Sequence, residues 1–198
     1  MKDSIQELDY PPKRSILING DAVLFKLLQK SDGEALKDFF SQVTDNEAET
    51  LRDDVKHPDT VARWVANLNY QKVLPLVSWD EAEEGIVGVS SLHLMSGVYR
   101  HIADVRILVG KGYRRLGLGS AMIKELIDVG NRLGLYFLRA EILMENQLAV
   151  KAFRQLGFES KCNIEDGFMC LNKSKTRDVM LMMKRLQVNL EEDFFYVF

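Results

Sequence analysis

The sequence lacks any apolar run near the ~20 residues that a helix needs to cross a bilayer. No membrane partner is therefore expected. Residues 1–15 are charged, carry Pro11 and Pro12, and lack the apolar stretch of a secretory signal, so a cytoplasmic location is the expectation. Cysteine is scarce: the two, Cys162 and Cys170, have no C-x-x-C spacing. A hairpin turn is expected between them, which would let them face each other; two ordinary thiols in a reducing compartment is the preferred reading. The three histidines, His57, His93 and His101, are scattered, and no metal is expected. Basic charge is not in excess. The formal net charge of −3 gives no general attraction to nucleic acid. Internal repeats and low-complexity segments are missing as well.

What is present fits one globular unit. The chain has 198 residues, 46% hydrophobic and 28% charged, enough to bury a real core. Residues 1–15 read as a flexible leader, 16–187 as the domain, and 188–198 as an acidic-aromatic tail. A turn at Asn19-Gly20-Asp21 predicts a hairpin of strands 15–18 and 22–27. Ser31 with Glu34, and Thr44 with Glu47, are capping-box pairs that open helices, the second running towards Val55. A third helical stretch is expected over 60–67. Residues 72–78 read as a strand, and 86–94 and 101–109 as an antiparallel pair. Leu118, Met122, Leu126, Val129 and Leu133 step by three and four along one helix face. A buried strand (135–143), a helix (149–156), and two strands turned at Asp166-Gly167 complete the order. The class expected is α+β (mixed α/β) around one sheet.

The segment from Val109 to Ser120 carries the chemistry. A strand runs into a turn holding Gly110, Gly112, Gly117 and Gly119, and an amphipathic helix starts at once. Glycines let a ligand approach the backbone. Free N–H groups and the helix dipole favour an anion at such a start, and Arg114 and Arg115 add positive charge. The segment reads as a pyrophosphate cradle. It is neither a P-loop, since no Gly-Lys-Ser/Thr follows, nor a G-x-G-x-x-G turn.

Two motifs then carry a resemblance. Arg114-Arg115-Leu116-Gly117-Leu118-Gly119 matches R/Q-x-x-G-x-G/A. Asn146, Ala149, Phe153 and Gly157-Phe158 match N-x-x-A-x-x-x-Y-x-x-x-G-F, with Phe for Tyr. On both, the chain resembles the GNAT superfamily of N-acetyltransferases over residues 16–186. More loosely, on Asn19-Gly20-Asp21 and on Asp32 to Phe40, it resembles bacterial protein acetyltransferase domains fused to ADP-forming acyl-CoA synthetases. The resemblance implies a central, mostly antiparallel sheet flanked by helices. It also implies acetyl-CoA as cosubstrate and a primary amine, from a protein lysine or a small molecule, as acceptor. A homodimer is compatible with it. The backbone of Ile107, Leu108 and Val109 would pair with pantetheine as an added strand. Arg114, Arg115, Leu116, Gly117, Leu118, Gly119 and Ser120 would hold the pyrophosphate. Asn146 would contact the pantetheine arm or cap the next helix. Strand 101–109 would diverge from strand 135–143 to leave a slot for that arm.

Acyl transfer to an amine needs the neutral amine, hence a base. Strand alternation puts Asp104 on a face with Ile102, Arg106 and Leu108. Asp104 sits at about the place where the superfamily carries a catalytic Glu and is the candidate base; a plain ion pair with Arg106 is the alternative. Glu141 and Glu145 are the reserves. Phe153 stands where a Tyr often protonates the thiolate, so that role does not carry over. A non-catalytic acyl-CoA sensor is the rival reading, and a nucleotide-binding regulator a more distant one.

Overall fold

The computed structural model describes residues 10–171 and 175–186. The expected tail, 188–198, and leader residues 1–9 lie outside them. The elements run β1 (Lys13–Ile16), β2 (Ala22–Leu27), α1 (Gly33–Ser41), α2 (Asp45–Ala48), α3 (Pro58–Ala66), β3 (Val73–Asp80), β4 (Gly85–Leu94), β5 (Ile102–Val109), α4 (Leu118–Arg132), β6 (Phe137–Leu143), α5 (Gln147–Gln155), β7 (Glu159–Met169) and β8 (Thr176–Arg185). Among the described residues the strands form one eight-stranded sheet in the order β1-β2-β3-β4-β5-β6-β8-β7. All neighbours are antiparallel except β5 and β6. This is the mixed α+β class expected.

Alternation along each strand sends apolar side chains to both faces, so the sheet carries helices on each. On one face α4 lays Leu118, Met122, Leu126 and Val129, all fully buried, over Leu76, Leu92, Ala103 and Leu138; Val150 and Phe153 of α5 join that core. On the other, Leu36, Phe39 and Phe40 of α1 and Val61 of α3 cover Val77 and Ile86.

Several boundaries differ from the sequence expectation. β1 starts at Lys13, and Tyr10 ahead of it is buried against α4, its hydroxyl donating to Glu125 at 2.7 Å. The box before α1 uses Gln29 and Asp32 rather than Ser31 and Glu34, because Lys26 holds Asp32 in place at 2.7 Å. The Thr44–Glu47 box does form, but α2 stops at Ala48. Asp54 beyond it takes the amides of Lys56 and His57 instead of continuing a helix. Asp166-Gly167 makes a bulge within β7, with Asp166 left-handed at φ 51°, not a turn. Cys162 and Cys170 therefore lie along one bulged strand, roughly 20 Å apart by the rise of the partner strand from Leu181 to Lys175, and both are free thiols.

Candidate active site

β5 is the element around which the site is built. It pairs with β4 along its length, from Ala103↔Leu94 to Val109↔Gly88. Its parallel pairing with β6 covers only Ile102↔Phe137, Ala103↔Leu138 and Asp104↔Arg139. Beyond Asp104 the two strands part. The amides of the second half of β5 that point towards β6 are thus left without a strand partner there. The opening leads into a cavity of about 1070 Å³, lined by Arg106, Ile107 and Leu108 on one side and Ala140 to Leu143 on the other. Asn146 and Phe153 line it from α5, and Phe40, Trp64, Arg52 and Asp53 from the opposite layer.

At the end of β5 the chain makes the glycine-rich turn. Gly110 sits where a Cβ would stand 2.8 Å from the Val87 carbonyl oxygen. Arg115 and Gly117 are both left-handed, at φ 63° and 87°. For a residue with a β-carbon that conformation costs about 1–2 kcal/mol. Gly117 is the N-cap of α4 and supplies no capping side chain; the first helical bond is Ala121 N–H to its carbonyl at 3.0 Å. The amides of Leu118, Gly119 and Ser120 have no acceptor within the helix, which suits an anion. Arg114 and Arg115 divide the positive charge unequally. Arg114 is tied to Glu47 at 2.5 Å and donates to the Val109 carbonyl. Amide and hydroxyl donation from Thr44, with Arg114 adding, holds the Glu47 carboxyl down at about 2. Arg115 makes no ion pair among the described residues and is exposed.

Asp104 was the expected base, with an ion pair to Arg106 as the alternative. Both its oxygens go instead to Arg139, at 2.6 and 2.9 Å, because the β5–β6 register sets these two residues opposite each other. The Asp104 hydrogen bonds hold the Arg139 guanidinium above its usual range. Asp104 does not line the cavity; Glu141 does, paired with Arg52. Glu145 is engaged with Arg177. Arg106 has only a 3.5 Å contact to Asp53, and its Nε is buried without a hydrogen-bond partner among the described residues. His93 on β4 stands opposite Asp104 on β5, its Nε2 3.0 Å from Ser91 Oγ. Burial, and then the Arg106 charge, push it down to about 4, so it is neutral at pH 7. Asn146 caps α5 through Oδ1, which accepts from the Ala149 amide at 3.1 Å, while also lining the cavity. Phe153 is buried edge-on to Phe158, centroids 4.8 Å apart. Sequence reasoning passed over Arg139, His93 and Arg52. One signal was available for the first: a charged residue in a strand otherwise read as buried. Among the described residues no cluster of His, Cys, Asp and Glu could hold a metal, and no helix is long and apolar enough to cross a membrane.

Known proteins share this architecture. An acetyltransferase of the GNAT family from Streptococcus pneumoniae superposes with a TM-score of 0.72 at 26% identity, over 83% of this chain and 99% of that one. The GNAT domain of S. lividans PAT gives 0.74 at 19% identity, over 90% and 100%. The ribosomal-protein-S5-alanine acetyltransferase from Vibrio fischeri gives 0.73 at 16%, over 90% and 100%. The family model for the acetyltransferase (GNAT) family matches residues 36–158, from α1 through the glycine-rich turn to the end of the second motif. With the model spanning well over half of the chain, this protein belongs to the GNAT acetyltransferase family and is an acyltransferase.

Proposed function

We propose that the chain moves the acetyl group of acetyl-CoA to a primary amine by direct attack within a ternary complex, with the domain expected over 16–187, extended back to Tyr10 by β1, as the catalytic unit. The observation that carries this reading is the parting of β5 and β6 after Asp104, which opens the sheet into the cavity just ahead of the uncapped start of α4. The pyrophosphate would lie on the amides of Leu118, Gly119 and Ser120, with Arg115, which makes no ion pair among the described residues, as a cation beside it. Arg114 would brace the turn against Glu47. The pantetheine arm would take the vacant side of β5 at Ile107, Leu108 and Val109, where an amide can polarise the thioester carbonyl.

The amine nitrogen attacks the carbonyl carbon, the C–S bond breaks, and CoA leaves as thiolate. A thiol pKa of about 8.5 makes this tolerable without an acid at Phe153. The proton lost by the amine goes to Glu141, the carboxylate that β6 brings to the gap. Asp104 acts by fixing Arg139 at the fork.

Purified protein is incubated with acetyl-CoA and a panel of amines, with thiol release and product mass followed together. Intersecting initial-rate plots and an N-acetylated product are expected. Glu141→Gln should lower kcat by about 10²–10⁴-fold, with CoA affinity retained by calorimetry. Parallel plots with an acetylated protein intermediate would overturn direct attack.

A further inference from the structure

The cavity's unspent charge is positive. Its acids are engaged: Glu141 by Arg52, and Asp54 by the amides of Lys56 and His57. Asp53 has only the 3.5 Å contact to Arg106. Arg63 and Lys72, which also line it, make no ion pair among the described residues. Arg106 is the case that needs explaining. It rises from the middle of β5, one residue before the proposed pantetheine edge. Burial, and then the nearby Arg52 charge, drive its pKa down, and a guanidinium does not escape such strain by losing its proton. Its buried Nε–H has no acceptor among the described residues. A buried donor left without an acceptor is unfavourable. The contrast with Arg139, which is met by both oxygens of Asp104, is direct.

We propose that the acceptor is an amine carrying a carboxylate, an amino-acid-like small molecule, and that Arg106 receives that carboxylate. The planar fork of a guanidinium matches a carboxylate through two parallel N–H bonds, here from the terminal Nη groups, since Nε itself is closed off from solvent while the side chain is 36% exposed. An anion at this point also relieves the repulsion between Arg106 and Arg52. Binding by the carboxylate leaves the amine free to reach the thioester beside Leu108. A polyamine or an isolated lysine side chain brings only positive charge, and among the described lining acids only Asp53 is loosely held, at the 3.5 Å contact that it shares with Arg106. The inference rests on the acetyl-transfer reading above.

The test compares each amino acid with its decarboxylated counterpart, and peptides with and without an acidic side chain near the reacting amine. The readout is the ratio of kcat/KM values, supported by calorimetry of the CoA-loaded protein with N-acetyl amino acids and the matching N-acetyl amines. A preference of roughly 10²-fold or more for the carboxylate is expected. Arg106→Gln should collapse it below about tenfold, and Arg106→Lys should restore part, with melting temperatures checking the fold. Response to acidic peptides alone would assign the carboxylate to a protein. Equal handling of both members of a pair, or a preference that survives Arg106→Gln, would overturn the proposal while leaving acetyl transfer intact. Failure to bind CoA at all would overturn both.

Discussion

Asp104 and Arg139 meet where the parallel seam ends, and both side chains are about a quarter exposed. Substituting Asp104→Asn leaves a half-buried guanidinium with a neutral partner. The full cost of stranding a buried charge, about 3–5 kcal/mol, is discounted here for solvent access, to about 1–2 kcal/mol. For a chain of this length that is a fall in melting temperature of roughly 2–8 °C. The folded fraction should keep turnover within about tenfold of the parent, whereas a base at this position would show a loss of about 10²–10⁴-fold. Thermal melts and kcat on the same sample decide between them. Alternation alone placed Asp104 and Arg106 on one face of a strand. It could not say which neighbouring strand would supply the countercharge, because that depends on the β5–β6 register, a long-range property. The alternative of an Asp104–Arg106 pair failed for that reason, and among the described residues the Arg106 Nε was left without an acceptor.

At the scale of the element, the start of α4 was the most legible part of the chain. Its glycines, apolar steps and preceding strand are all local signals, and the helix begins within the motif as the pattern requires. The glycines are not equivalent, however. Gly117 is left-handed at φ 87°, so Gly117→Ala is strained wherever its β-carbon points; that carbon would come 3.5 Å from Ile18. Gly119 is helical, and an added carbon would meet only Val109 at an ordinary 3.5 Å. Gly117→Ala should cost about 1–2 kcal/mol of stability. Gly119→Ala should be neutral or gain up to about 1 kcal/mol, since alanine favours a helix over glycine. Gly119→Val should fold too, yet lose CoA affinity about tenfold or more if phosphate lies on these amides. Denaturant melts and calorimetry on the three variants check the order. A Gly119→Val protein with unchanged CoA affinity would move the pyrophosphate elsewhere. The shorter elements were less legible. α2 carries a proper capping box and still ends after one turn, since a cap starts a helix but does not lengthen it. Asp166-Gly167 offers a left-handed residue that serves a bulge as readily as a turn.

Taken whole, the sheet is two blocks, β1 to β5 and β6-β8-β7, sharing three residue pairs along their parallel border. On one face α4 bridges them. At Gly130 an added carbon would sit 2.9 Å from Leu186 and 3.2 Å from Leu138, so helix and second block are in close contact there. The two blocks have distinct neighbours on the other face, where Arg52 from the α2–α3 connection reaches across to Glu141 on β6. The half of the border beyond Asp104 has backbone donors and acceptors on each side and no strand between them. A ligand laid along it would work as a splint across a crack, joining the halves with the hydrogen bonds the chain itself omits. Saturating CoA, at about a hundred times its dissociation constant, should then raise stability by about 2.7 kcal/mol. Slowed hydrogen exchange should concentrate at residues 105–109 and at the first turn of α4, with β1 and β2 little changed. A uniform slowing over all strands would mean that CoA tightens the molecule without bridging the border. Because the border crosses the middle of the sheet, its thinly paired line and the proposed catalytic centre coincide, and loss of cosubstrate should leave the enzyme easiest to pull apart at the place where it is proposed to work.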